Sequence, residues 1–156
     1  MKVILPGSYD PVTVGHLDMI RRAAEAYDEV YAVIFQNPNK KYLFTLRERV
    51  SMLMLATEEL DNVLVSSSDG LVIDYMRDHG IELIIKGYRN ESDIEWEREQ
   101  AEWNLKHGGY ETELWKCSDG MSEVSSTAVR RALTDGVIPT ELLPPAVAGY
   151  IERIKK

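Results

Sequence analysis

The chain has 156 residues, 44% of them hydrophobic and 28% charged, with a formal net charge of −8. That length and balance predict a single domain, residues 1–156, with a real core and an ordinary globular composition. The acidic surplus argues against nonspecific nucleic-acid binding, no apolar run approaches the about 20 residues that cross a bilayer, and the lone Cys117 excludes an internal disulfide or a multi-cysteine metal site and suits a reducing cytoplasm.

In chain order, Val3-Ile4-Leu5 predicts a first buried strand. A turn punctuated by Pro6, Gly7, Pro11 and Gly15 follows, ending at His16, and Leu17–Ala24 has helical spacing. Such a strand–turn–helix lets free backbone N–H groups converge on an anion, and small Gly15 would let it come close. Glu29–Phe35 predicts a second strand, followed by the loop Gln36–Lys41. Thr45 with Glu48 three residues on predicts a capping box and a helix through about Thr57. Asn62–Ser66 predicts a third strand, and Ser68 or Asp69 caps a helix over Gly70–His79 that Gly80 ends. Glu82–Lys86 predicts a fourth strand, Asp93–Lys106 a long helix stopped by Gly108-Gly109, and Glu111–Cys117 a fifth strand. Ser125–Leu133 and Pro145–Ile154 predict two closing helices.

Short apolar strands alternating with helices predict parallel βαβ units in an α/β, doubly wound parallel sheet. Ligands of such sheets bind beyond the carboxyl ends of the strands. The loops at Pro6–His16, Gln36–Lys41, Lys86–Asn90 and Cys117–Ser126 each follow a strand, so they should share one rim. Cations there would gather anions in an otherwise acidic molecule, because a cleft focuses the field of its own charges. Read alone, Lys40 and Lys41 are two solvated lysines, Leu71 and Val72 are core residues, and Glu97 is an exposed helix acid.

Several strings together resemble a known family. Residues 6–16, P-G-S-Y-D-P-V-T-V-G-H, resemble the (H/T)-x-G-H signature of the nucleotidyltransferase superfamily, with Thr13 in its first position, and look like the bacterial phosphopantetheine adenylyltransferases. The string N-P-N-K-K-Y-L-F-T-L-R-E-R at 37–49 resembles S-P-x-K-K-x-x-F-x-x-x-E-R. Lys86-Gly87-Tyr88-Arg89 resembles R-G-L-R, and Asp93-Ile94-Glu95-Trp96-Glu97 resembles D-F-E-Y-E. Val124-Ser125-Ser126-Thr127 with Arg130 resembles I-S-S-[ST]-x-x-[RK], and 70–75 resembles G-L-L-V-D-F. The chain departs from the family with Ser8 for Thr, Lys86 for Arg, and no aromatic residue in Gly120–Glu123.

The resemblance implies a Rossmann-like nucleotidyltransferase fold with a C-terminal helical segment. It implies a coenzyme A biosynthesis transferase that moves the adenylyl group of ATP to 4′-phosphopantetheine by direct in-line attack, giving dephospho-coenzyme A and pyrophosphate. It assigns catalysis to His16, Lys40 and Ser8, and the acceptor to Ser8, Lys40, Val72 and Lys86. ATP falls to Ser8, Tyr9, His16, Gly87, Tyr88, Arg89, Glu97, Ser125, Ser126, Thr127 and Arg130. Mg²⁺ is expected with ATP, without a dedicated protein ligand. A homohexamer, a cytoplasmic location, and no nucleic-acid or membrane partner are expected as well. Two other readings fit part of the pattern: a sibling nucleotidyltransferase with another phosphorylated acceptor, and a non-catalytic nucleotide-binding protein.

Overall fold

The computed structural model describes residues 1–155. Five strands, β1 (Lys2–Gly7), β2 (Glu29–Phe35), β3 (Val63–Ser68), β4 (Leu83–Tyr88) and β5 (Glu111–Lys116), form one sheet in the order β3-β2-β1-β4-β5. Every neighbouring pair is parallel. The chain winds outward from β1 through β2 to β3, then returns past β1 to lay down β4 and β5. The order therefore reverses between β1 and β4, and an open α/β sheet gapes at that point. β1 pairs with β2 as far as Gly7↔Ile34 but with β4 only at Val3 and Ile4. Pro6 has no N–H to give, and the two strands part below the cleft described next.

The helices are α1 (Val14–Ala26), α2 (Leu46–Thr57), α3 (Val72–His79), α4 (Glu91–Gly108), α5 (Ser126–Thr134) and α6 (Pro145–Ile154), with a 3-10 turn at Thr140–Leu142. Successive strand residues face opposite ways, and the core divides accordingly. Val3 and Leu5 join Ile20 and Ala23 of α1, Met52 and Leu53 of α2, Val129 of α5 and Val147 of α6. Ile4, Tyr31, Val33 and Ile84 join Met76 of α3 on the other face. α4 packs on β4, β5 and α3 with none of its residues buried.

Several predicted boundaries differ from the structure: α1 starts earlier, at Val14, β3 runs on to Ser68, β4 runs on to Tyr88 so that Lys86–Tyr88 are strand rather than loop, and the starts of α3 and α4 move. Ser68 is the last residue of β3, and its Oγ accepts from Gly70 N at 3.1 Å. α3 starts only at Val72, after Leu71, which offers no side-chain cap. α4 begins at Glu91 because the Asn90 Oδ1 accepts from Asp93 N at 3.0 Å, the bond an N-cap residue makes. The predicted ends at Gly80 and Gly109 match left-handed backbone, φ 66° and 74°, a conformation that an L side chain resists.

Candidate active site

A cleft of about 480 Å³ opens where β1 and β4 part. Ser8, Tyr9 and Asp10 come to it from the turn after β1, and Thr13, Gly15 and His16 from the start of α1. Lys40 reaches over from the loop after β2, while Lys86–Arg89 close the other side at the end of β4. Cys117, Met121 and Val124 lead to Ser125, Ser126, Thr127 and Arg130 at the head of α5. Four cations (Lys40, Lys86, Arg89, Arg130) face three carboxylates (Asp10, Asp93, Glu97) here. The chain as a whole carries 26 acidic against 18 basic side chains, so the cleft reverses the molecule's sign.

Thr13 and His16 bracket the start of α1. The Thr13 Oγ1 accepts from His16 N at 3.3 Å, and the His16 Nδ1 accepts from Thr13 N at 3.0 Å. A backbone N–H can only donate, so the Nδ1 is unprotonated and the neutral ring carries its proton on Nε2. Burial first, then Lys86 and Arg89, push the imidazole down to about 4. At neutral pH it is therefore an uncharged donor. His16 in the free protein should titrate near pH 4 when followed by NMR; a midpoint near 6.5 would mean a solvated ring. Unfolded, the same ring takes its proton near 6.5. Between these values the unfolded chain binds more protons, so the His16 contribution to stability is whole above about pH 6.5 and drains away as pH falls towards 4.

Tyr9 holds the turn in front of this helix. Its side chain is 4% exposed, its hydroxyl donates to Leu5 O at 2.8 Å, and its ring lies 4.8 Å from the His16 ring. Its φ of 47° is left-handed, which costs an ordinary residue about 1–2 kcal/mol. The buried ring and hydroxyl fix that conformation, leaving the Tyr9 backbone to face the cleft. The Asp10 carboxylate accepts from Leu43 N and Phe44 N at 2.8 and 3.0 Å, tying the turn to the segment that enters α2. Gly15 lines the cleft, and a Cβ there would stand 3.4 Å from the Val124 Cγ1, an ordinary van der Waals contact. At Gly87 the space is tighter: a Cβ would meet the Met19 Cε at 3.2 Å.

The Lys40 ammonium donates to the Ser8 hydroxyl at 3.3 Å, while Lys41 lies outside the cleft lining. Across the cleft, the Lys86 ammonium stands 3.5 Å from the Glu97 Oε2. Burial raises the Glu97 carboxyl against the pull of Lys86, and that Oε2 has no hydrogen-bond partner. Arg89 pairs with Asp93 at 3.0 Å, and the Tyr88 carbonyl accepts from Cys117 N.

At the head of α5 the Ser125 Oγ accepts from Ala128 N, and the Ser126 hydroxyl donates to Pro11 O at 2.8 Å. The Ser125 Oγ accepts through a lone pair and keeps its own O–H to donate to an anion, whereas the single proton of the Ser126 hydroxyl is already given to Pro11 O. Beside the Ser125 hydroxyl, α5 offers an anion its unpaired first-turn N–H groups. Arg130 donates through Nη1 to Asp10 O and through Nη2 to the Thr127 Oγ1, which leaves the remaining guanidinium N–H groups for a ligand.

Val72 stands apart from the main cleft. It lines a second cavity, about 210 Å³, with Phe35, Ile84, Asn104 and Thr112. Ser8, Lys86 and Glu97 line both spaces and form their junction. The Thr112 hydroxyl is buried without a partner there, an unfavourable state that a hydrogen-bonding ligand would relieve. Sequence reasoning does not single out Asn104, Thr112, Asp10 or Thr13 as site residues in their own right. Only Thr13 carries a local signal, a helix-capping residue three places before His16. Among the described residues no group of three or more His, Cys, Asp or Glu side chains is placed to hold a metal ion, and no helix is long and apolar enough to cross a membrane.

Comparison with known proteins shows the family to which the chain is similar. The family described as Cytidylyltransferase-like matches residues 4–132. Curated proteins named phosphopantetheine adenylyltransferase are similar along nearly the whole chain. That of Corynebacterium diphtheriae is 40% identical over 156 residues, 99% of this chain and 98% of its own length. That of Thermobifida fusca is 39% identical over 160 residues, again 99% and 98%. That of Clostridium novyi is 38% identical over 146 residues, 90% and 91%.

Proposed function

Because this chain belongs to the phosphopantetheine adenylyltransferases, within the Cytidylyltransferase-like family, we propose that its cleft aligns ATP with 4′-phosphopantetheine for direct adenylyl transfer. In that reaction an oxygen of the acceptor phosphate bonds to the α-phosphorus of ATP. The bond from that phosphorus to pyrophosphate breaks, and dephospho-coenzyme A forms. The attacking phosphate is already anionic and needs no general base. The enzyme's task is to bring two anions together and to stabilise the charge that builds as they react.

The observation that carries this division of labour is the placement of His16 between two anion-binding groups. On one side Ser8, Lys40 and Lys86 meet at the junction of the two cavities. The acceptor phosphate belongs there, with the amide-bearing pantetheine arm running past Val72 towards Asn104 and Thr112. On the other side the head of α5 and Arg130 receive the departing pyrophosphate. Gly87, Tyr88 and Arg89 flank the nucleotide, and the backbone at Tyr9 approaches its phosphates. The His16 Nε2–H donates to the α-phosphate oxygens as they gain charge. Glu97 stands at the junction, holding Lys86 rather than reaching the nucleotide alone.

The cleft carboxylates are engaged by Leu43 and Phe44 N–H, by Arg89 and by Lys86. That donor set suits Mg²⁺ that arrives on ATP and keeps phosphate and water ligands. When bound, it would offset triphosphate charge. A homohexamer is also part of the proposal and rests on the family resemblance; Trp96 and Trp103, seven residues apart on one face of α4 and 59% and 42% exposed, offer apolar surface that a subunit contact would cover. Light scattering reads that mass directly. A cytoplasmic location is supported by the ATP-dependent chemistry and the lone cysteine.

The test is pyrophosphate release with Mg²⁺, ATP or CTP, and a panel of phosphorylated acceptors. Release with ATP and 4′-phosphopantetheine, and at least about 100-fold slower release with CTP or with glycerol phosphate or nicotinamide mononucleotide as acceptor, is the expected result. Faster turnover of another acceptor would overturn the acceptor assignment.

A further inference from the structure

Arg49 is among the largest fully buried side chains of the molecule, 1% exposed, yet among the described residues no carboxylate lies within ion-pairing distance of it. A buried cation must then direct its donors to other acceptors. Its Nε donates to Phe44 O at 3.2 Å, its Nη1 to Ser8 O at 3.1 Å, and its Nη2 to the Gln36 Oε1. Its guanidinium carbon lies 3.9 Å from the centre of the Tyr42 ring. Those partners come from three places: the turn after β1, the loop after β2, and the entry to α2.

Tyr42 carries the connection onward. Its hydroxyl accepts from Asn37 N at 2.9 Å, and Asn37 O accepts from Lys40 N at 3.0 Å. The ring braced by Arg49 thus anchors the turn that carries Lys40. The Lys40 ammonium passes 5.6 Å from the same ring and ends on the Ser8 hydroxyl. Ser8 is held from both ends, its carbonyl by Arg49 and its hydroxyl by Lys40. Neither Arg49 nor Tyr42 lines the cleft.

We propose that Arg49 and Tyr42 are positioning residues that lock Ser8 and Lys40 into one acceptor-phosphate clamp without touching the substrate. The inference rests on the acceptor role of Lys40 and Ser8 given above. A planar fork satisfies carbonyls in three directions while its face stacks on an aromatic ring, and lysine does neither.

The test is a KM series for both substrates on Tyr42→Phe, Arg49→Lys, Lys40→Ala, and the double variant Tyr42→Phe/Lys40→Ala. Tyr42→Phe keeps the ring beneath Arg49 and removes only the hydroxyl. It should raise the acceptor KM about five-fold, the effect of one ordinary hydrogen bond, and leave the ATP KM within about two-fold. Arg49→Lys should raise the acceptor KM about ten-fold; if it does not fold, Tyr42→Phe decides. In the Lys40→Ala background Tyr42→Phe should add nothing, because the group it positions is gone. A full five-fold effect in that background, an equal rise for both substrates, or no rise at all would overturn the inference. An unchanged acceptor KM in Lys40→Ala alone would remove the role of Lys40 itself and the inference with it.

Discussion

His16→Ala is expected to lower kcat about 100- to 1,000-fold, the usual effect of deleting one preorganised donor to transition-state charge. The reason lies in the helix cap. Thr13 N occupies the Nδ1 of the ring and so places the proton on Nε2. Burial and the neighbouring cations keep the ring neutral, so the donor is set before substrate arrives and need not be reorganised during reaction. The ATP KM should change far less than kcat, because the charge that the donor answers is largest in the transition state. The fold should survive: the variant loses one arm of a capping box, worth about 1 kcal/mol. Thermal melting, read beside single-turnover rates, separates the two effects. Wild-type rates in a folded His16→Ala protein would end the transition-state role.

Lys40→Ala is expected to weaken the pantetheine acceptor about 10- to 100-fold in KM, the range of a lost charge-assisted hydrogen bond, and ATP less than about three-fold. The asymmetry follows from position. The Lys40 ammonium rests on the Ser8 hydroxyl, and Ser8 lines both the main cleft and the cavity beyond it. Arg130 and the head of α5 line another part of the cleft, the part proposed for the nucleotide phosphates, and are untouched by the change. Initial rates with each substrate varied against its saturating partner give both values. An equal loss for both would reject the division of the cleft. Added salt should raise the acceptor KM more in the wild type than in the variant, because an exposed ammonium is screened.

Much of the scaffold is legible in the sequence because its signals are local. The apolar runs at Val3–Leu5 and Glu29–Phe35 read as buried parallel strands, and both lie in the middle of the sheet. Thr45 and Glu48 form the reciprocal cap that their spacing predicts. The start of α3 is not legible in the same way, since Ser68 gives its oxygen to Gly70 N while still in the strand. A serine before a helix satisfies a backbone N–H in either arrangement, and only the end of β3 decides which. The membership of the rim is as legible as the scaffold, because loops after parallel strands must share one edge of the sheet.

By itself, the order of residues determined the alternation of strands and helices and the types of side chain delivered to that edge: hydroxyls, ammonium groups and one imidazole. Those depend on period, on caps and on turn residues, all of which act over a few positions. Only the tertiary structure decided how each group is engaged. It made His16 a neutral donor by half-burying it beside Lys86 and Arg89, bound the Ser126 hydroxyl to Pro11 across 115 residues, and set Glu97 against Lys86. It also placed Arg49 behind Ser8 rather than in solvent. Protonation, burial and hydrogen-bond partnership depend on what lies within a few ångströms, and most of those neighbours arrive from distant parts of the chain.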